Sequence, residues 1–363
     1  MQPKQRSCYA ARVQKLRKRM DADGVELLLV SSLPNVHYLT GFSGSAGALL
    51  ITASKARLFT DSRYDLQAHE EVLGADVTII KGDSLAAAAK SARKARESAA
   101  AFESDAVTYA THAKLRELLP KKRLVPVSGL VESLRIEKDE SEIEQIRKAV
   151  DAGSKALMDT LPHLRIGISE MEVAAEIEYR MRLHGAERPA FETIVAFGER
   201  TALPHARPGT RQLRGNECIL TDLGAILGGY AGDMTRTFFM GKVPRKARDV
   251  YSAVLEAQLA GEAAARAGVE CAAVDRATRK VLERRGYAQY FTHSTGHGVG
   301  REIHELPRIA PKQPLRLPEG AVITIEPGVY IPGVGGVRIE DVVVVRKHGA
   351  EVLTQVPKEL TVL

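Results

Sequence analysis

Residues 221–238 read TDLGAILGGYAGDMTRTF, and the way this stretch folds back on itself decides much of the rest. Strand-like residues flank Ile226-Leu227-Gly228-Gly229, which suits a four-residue hairpin loop. Pairing Ala225 with Tyr230 would then make Asp222 and Asp233 direct cross-strand partners, with Cβ atoms roughly 4.5–5.5 Å apart. Two ionised carboxylates so placed repel, so either one holds a proton or a cation sits between them. Aspartate is also a poor strand residue, so two in one hairpin call for a reason.

A second pair of strand-like stretches follows downstream. TIEPGVY (324–330) and GVRIEDVVVV (336–345) flank a Pro/Gly-rich connection and carry Glu326 and Glu340 on opposite strands. Between the two pairs lies HSTGHGVGREIHE (293–305). His293 and His297 have the i, i+4 spacing of a helical metal pair, but Gly296, Gly298 and Gly300 disfavour a helix. They predict an extended segment that approaches a ligand closely. Four carboxylates and one imidazole form a hard, oxygen-rich set that suits Mn²⁺ or a similar ion better than a thiolate zinc site. More carboxylates than one ion needs point to two ions bridged by carboxylates, able to activate a water and polarise a scissile carbonyl.

Helices precede each strand pair. Ile143, Ile146, Val150, Leu157 and Leu161 trace one helical face headed by the capping candidates Asp139 and Ser141. Ser169-x-x-Glu172 is a capping box before Val173, Ile177 and Met181, with Gly185 as the stop. The predicted helices are about 140–161 and 169–184 before the first strand pair, and about 245–267 and 273–285 before the second. The doubled order predicts a pseudo-symmetric α+β domain over 136–363, with the carboxylates meeting at its middle.

Upstream, residues 1–135 alternate strand-like and helical pieces and read as a small α/β domain. Val13, Leu16 and Met20 fall on a helix face stopped by Gly24, and Val25–Val30 reads as a buried strand. Ser31–Asn35 reads as a turn, Ala56–Thr60 as a strand, and Leu85–Ala101 and Lys114–Leu119 as helices.

The whole chain of 363 residues suits two domains. Its net charge of +7 is spread over helices with acidic neighbours, and no nucleic-acid-binding pattern is present, so nucleic acid is not an expected partner. Cys8, Cys218 and Cys271 are too few and too dispersed for a disulfide framework and suit a reducing compartment. The first residues lack the apolar stretch of a signal peptide, and no apolar run is long enough to span a bilayer. A cytoplasmic location and no membrane contact are the resulting expectations.

The ordered set Asp222, Asp233, His297, Glu326 and Glu340 resembles that of the pita-bread metallopeptidases, which include Xaa-Pro aminopeptidase, prolidase and methionine aminopeptidase. ALPHARP (202–208), TDLGA, YAGDMTRTF, STGHGVGREIHE, TIEPGVY and GVRIEDVVVV match the family pattern across the second domain. YLTGFSGSAGALLIT (38–52) and LFTDSRYDLQA (58–68) resemble the creatinase-like N-terminal domain of the Xaa-Pro branch.

The resemblance implies that Asp233 and Glu340 bridge two ions, that Asp222 completes one shell, and that His297 and Glu326 complete the other. It implies that Glu326 takes a proton from the attacking water. His205 and His304 would hold the substrate carbonyl and stabilise the tetrahedral intermediate, His293 would line the pocket beside them, and Arg338 and Tyr330 would support the ligands. Arg301 departs from the aliphatic residue many relatives carry.

The implied activity is that of a Xaa-Pro aminopeptidase on peptides with proline second, with manganese as resident metal and cobalt or zinc as the other candidates. The alternative is a Xaa-Pro dipeptidase, and a ligand-depleted binding module is more remote because all five ligands are kept. Relatives with this N-terminal domain often dimerise, so a homodimer is expected. A dipeptidase needs a fixed cation for the substrate carboxylate, and Arg301, Arg207 and Arg63 are the candidates the sequence offers.

Overall fold

A computed structural model describes residues 3–363, with side chains from Cys8 onward. Met1 and Gln2, part of the stretch read for a leader, lie outside the described residues. The chain divides into two compact units, Met1–Arg135 and Ile136–Leu363.

The first unit is built on a six-stranded sheet in the spatial order Asp76–Ile80, Ala56–Asp61, Ala48–Thr52, Leu27–Val30, Ala99–Glu103 and Arg123–Val127. The central strand LLLV shows why a continuous apolar run was needed. Leu28 and Val30 face one buried cluster and Leu27 and Leu29 another, so successive side chains enter cores on both faces.

Two expectations fail in this unit. The turn at Ser31–Asn35 is instead the start of a helix, Leu33–Thr40, with Pro34 in its first turn and Gly41 closing it in the left-handed region at φ 82°. The helix expected to run to Ala101 stops at Ala92, and AAAFE forms the strand Ala99–Glu103. Ala100 and Ala101 are buried there between two parallel neighbours, so sheet packing overrides alanine's helix preference.

In the second unit the helix pair Glu140–Thr160 and Glu170–Leu183 precedes the first hairpin, and the pair Arg245–Ala264 and Cys271–Arg284 precedes the second. Asp139 with Glu142 and Ser169 with Glu172 form complete capping boxes. These satisfy N–H groups that the first helical turn leaves unpaired. Among the described residues, no helix is long and apolar enough to cross a membrane.

The two hairpins share one construction. In the first, the stem ends at the pair Leu223–Met234 and the tip resumes at Ile226–Ala231. In the second, the stem ends at Ile325–Asp341 and the tip resumes at Gly328–Arg338. Each break skips the same number of residues on both strands, so register survives it. Asp233 and Glu340 each immediately precede the returning stem strand, the equivalent position in the two halves. Glu326 and Glu340 face each other across the second break. There the Glu326 N–H is diverted to the Thr295 carbonyl at 2.8 Å and the Glu340 N–H to the Thr235 carbonyl at 3.2 Å.

The first hairpin's register corrects the predicted one by two residues. Asp222 pairs with Thr235, not Asp233. The loop is only Gly228-Gly229, with φ of 59° and 70°, the geometry a two-residue turn demands and glycine supplies. Asp233 therefore becomes the diagonal neighbour of Asp222, still on one face.

Candidate metal centre and active-site cleft

A cleft of about 860 Å³ opens beside the two breaks. Nine of the ten residues given metal, catalytic or supporting roles from the sequence line it: His205, Asp222, Asp233, His293, His297, His304, Glu326, Arg338 and Glu340. Tyr330, the tenth, is hydrogen-bonded to two of them, His293 and Arg338.

The first hairpin brings in Asp222 and Asp233, both buried. Asp222 Oδ2 accepts from Arg338 Nη2 at 2.5 Å, while Oδ1 is buried without a hydrogen-bond partner. The second hairpin brings in Glu326 and Glu340. Thr235 Oγ1 donates to Glu340 Oε2 at 2.6 Å and accepts from Arg338 Nε at 3.0 Å. Thr235, the true cross-strand partner of Asp222, thus ties the two hairpins together, a role the assumed loop length concealed.

His297 enters on the short strand Gly296–Gly298. Glycine is needed on both sides. A Cβ on Gly296 would lie 2.0 Å from the Thr324 carbonyl oxygen, and one on Gly298 2.2 Å from that of Leu306. His297 Nδ1 lies 3.1 Å from the Gly298 carbonyl oxygen. A carbonyl only accepts, so Nδ1 carries the proton and Nε2 presents its lone pair. Nε2 lies 3.6 Å from Asp233 Oδ2 and 3.5 Å from Glu326 Oε1.

Charge in the cleft is unbalanced. Burial and then Glu340 push Asp233 well above the ordinary aspartate range, and burial with Glu340 does the same to Glu326. Burial and Asp222 raise Glu340 to about 8. Burial opposes the charge on Arg338, yet Tyr330 and the carboxylates around it hold its pKa above the usual value. One arginine does not offset this many carboxylates. The donor set, the orphaned Asp222 oxygen and the bare His297 Nε2 all fit divalent cations. Ligand atoms of Asp233, His297 and Glu340 lie within 4.8 Å of one another. Asp222 and Glu326 flank that trio in the same cleft.

The other histidines also line the cleft. His293 Nδ1 donates to the Ser294 carbonyl at 2.8 Å, and Nε2 lies 2.9 Å from Tyr330 Oη, which accepts from Arg338 Nη1 at 2.6 Å. Burial and then Arg338 depress His293 to about 4, so it is neutral at neutral pH. His304 stacks edge-on against His297, ring centroids 4.3 Å apart. His205 is exposed on the rim.

The cations divide differently from the sequence reading. Arg301 does not line the cleft; its guanidinium lies 4.3 Å from the centroid of the Tyr230 ring. Arg63 belongs to the first unit and is paired with Asp61 at 2.9 Å. Arg207 lines the cleft but lies 3.5 Å from Glu192. The residue overlooked is Arg308, in ELPRI. It lines the cleft as the cross-strand partner of His297, and among the described residues it has no hydrogen bond or ion pair. The alternation of a strand continuing from His304 was the signal that could have found it.

Comparison with known proteins places this geometry. The model of metallopeptidase family M24 matches residues 144–347, and that of the creatinase/prolidase N-terminal domain matches residues 12–136. The Xaa-Pro dipeptidase of Pyrococcus horikoshii is 37% identical over 351 residues, 96% of this chain and 98% of that one. The solved Xaa-Pro dipeptidase from Bacillus anthracis superposes with a TM-score of 0.95 at 38% identity, covering 98% of this chain and 100% of that one. The X-Pro aminopeptidase from Thermotoga maritima gives 0.89 at 34% identity, covering 95% and 100%.

Proposed function

The chain belongs to metallopeptidase family M24, and on that footing we propose that it is a Xaa-Pro dipeptidase, hydrolysing the bond between a first residue and a terminal proline. The observation that carries this over the aminopeptidase reading is Arg308, an unpaired cation on the wall of the cleft directly across the ladder from His297. A dipeptide's carboxylate lies one residue beyond the scissile bond, and a guanidinium recognises it with paired hydrogen bonds. The named dipeptidases above support the same choice.

Asp222, Asp233, His297, Glu326 and Glu340 would hold two divalent ions, with manganese as the expected metal. Such ions supply Lewis acidity that activates water and polarises a carbonyl. Glu326, in the cleft 3.5 Å from His297 Nε2, would take the proton of the attacking water. His205 and His304 face the carbonyl oxygen and steady the charge that develops there. Arg338 holds Asp222 in place, and Tyr330 fixes His293. A tertiary prolyl nitrogen leaves only after receiving a proton, which Glu326 can return. A homodimer and a cytoplasmic location remain part of the proposal.

The deciding experiment compares an alanyl-proline dipeptide, its C-terminal amide and an alanyl-proline-glycine tripeptide with the manganese-loaded protein. The dipeptide should give the highest kcat/KM, with the amide losing through KM. A tripeptide cleaved at least as well as the dipeptide would return the chain to the aminopeptidase reading.

A further inference from the structure

Each half of the second unit contains a buried carboxylate that reaches from its second helix to the loop bearing a cleft histidine, with an arginine between them. In the first half, Glu170 opens the Glu170–Leu183 helix and is completely buried. Its oxygens accept from the Phe197 N–H at 3.0 Å, the Gly209 N–H at 3.1 Å and Arg200 Nε at 3.0 Å. Arg200 Nη2 then donates to the Arg207 carbonyl at 2.8 Å. The loop that carries His205 is thereby held two residues beyond the histidine.

In the second half, Asp275 lies on the Cys271–Arg284 helix with 1% exposure. It accepts from Arg279 Nε and from Thr295 Oγ1, both at 2.8 Å. Arg279 Nη2 donates to the His293 carbonyl at 2.5 Å, Nη1 donates to the Phe291 carbonyl at 3.3 Å, and the guanidinium covers the Phe291 ring at 4.3 Å. The Thr295 carbonyl in turn accepts the Glu326 N–H at 2.8 Å.

Neither arginine lines the cleft. Each carboxylate is buried while its arginine side chain stays 35% and 31% exposed; burying a carboxylate is costly, and an apolar residue there would serve packing as well or better. What an apolar pair cannot do is direct a fork of N–H donors onto chosen backbone carbonyls.

We propose that Glu170–Arg200 and Asp275–Arg279 are two independent positioning clamps, the first setting His205 and the second setting His293. The proposal rests on the peptidase reading only for its kinetic arm. The test uses the full chain loaded with zinc, which permits histidine side-chain NMR, and with manganese for kinetics. The variants are Arg200→Gln and Arg279→Gln; His205→Phe and His293→Phe assign the two imidazoles.

Arg279→Gln should shift the His293 signals and leave those of His205, while Arg200→Gln does the converse. Metal content should be unchanged in both. With the alanyl-proline dipeptide, kcat should fall about tenfold to a hundredfold for each, the scale expected of a misplaced catalytic group, with KM within about threefold. If Arg279→Gln does not fold, Asp275→Asn, which keeps an acceptor for Thr295 but not the charge, carries the same comparison. Signals that stay in place, or that move together in either variant, overturn the proposal, as does loss of metal. A parent protein that cleaves no Xaa-Pro dipeptide defeats the functional reading instead, and the NMR comparison still decides the clamps.

Discussion

His297 and Arg308 are cross-strand partners in the Gly296–Gly298 and Glu305–Ile309 pair. One presents a lone pair to the carboxylate cluster, and the other offers a free guanidinium to the same cleft. This pairing sets the distance between the metal side and the proposed carboxylate side by β geometry rather than by loop conformation.

Arg308→Leu should therefore raise KM for an Xaa-Pro dipeptide about tenfold to a hundredfold, with a smaller change in kcat, since a charge-assisted hydrogen bond contributes on this scale. Arg301→Leu, away from the cleft against Tyr230, should leave both constants within about threefold. Steady-state kinetics on the two variants checks this. The reverse pattern would make Arg301 the carboxylate group.

Metal content separates ligands from substrate-binding groups. The parent should bind about two divalent ions per chain and lose hydrolysis on chelation. Asp233→Asn should lose metal and turnover together, because a charged bridging candidate becomes a neutral amide. His304→Ala should keep its metal and lose turnover, because its contact is strongest in the transition state. Elemental analysis beside initial rates measures both, and full activity in metal-free protein would remove the mechanism.

The raised carboxyls fix a sign for the pH dependence of the metal-free protein. Burial and Asp222 push Glu340 up to about 8 in the folded chain, far above the roughly 4.5 of an exposed glutamate. The folded state binds the extra proton, so this stabilising contribution is complete below about pH 4.5 and is lost as pH rises through about 8. The chelated protein should thus have a lower Tm at about pH 8.5 than at about pH 6, and the added ion should raise Tm more at the higher pH. Thermal melts with and without chelator give the comparison; a Tm difference between loaded and chelated protein that shrinks at high pH contradicts it.

Gly224→Ala tests the break in the first hairpin. Its Cβ would come within 2.2 Å of the Gly232 carbonyl oxygen and 2.7 Å of the Phe191 ring. The Gly232 carbonyl is buried backbone that cannot swing aside, so a loss of about 1–3 kcal/mol is expected. Denaturant unfolding measures it. A neutral result would mean the break is not closely packed.

The sequence carried some of this structure and not the rest, for identifiable reasons. The Ser169–Glu172 capping box and the cap at Asp139 are local devices, and both are present; Asp139 rather than Ser141 is the cap, and Glu142 completes a box there too. The glycines around His297 correctly excluded a helix, because their constraint is steric and also local. The hairpin register was misread because alternation does not distinguish a four-residue loop from Gly228-Gly229 when the flanking residues are apolar on both faces. The strand Ala99–Glu103 was hidden because its burial comes from neighbours distant in sequence. Arg308 was overlooked for a related reason: only the pairing with His297 places it in the cleft.

The interrupted hairpins have an evolutionary consequence. In each, the carboxylate of the returning strand, Asp233 or Glu340, sits between a stem and a tip that share one register, so the turn lies on the far side of the tip from the stem. Residues added at Gly228-Gly229, or between Ile331 and Gly335, lengthen an outer loop without sliding Asp233 or Glu340 along the ladder. The chemistry and the loops can then diversify separately: the tips are free to acquire new lengths and surfaces while the carboxylates stay where the stems hold them.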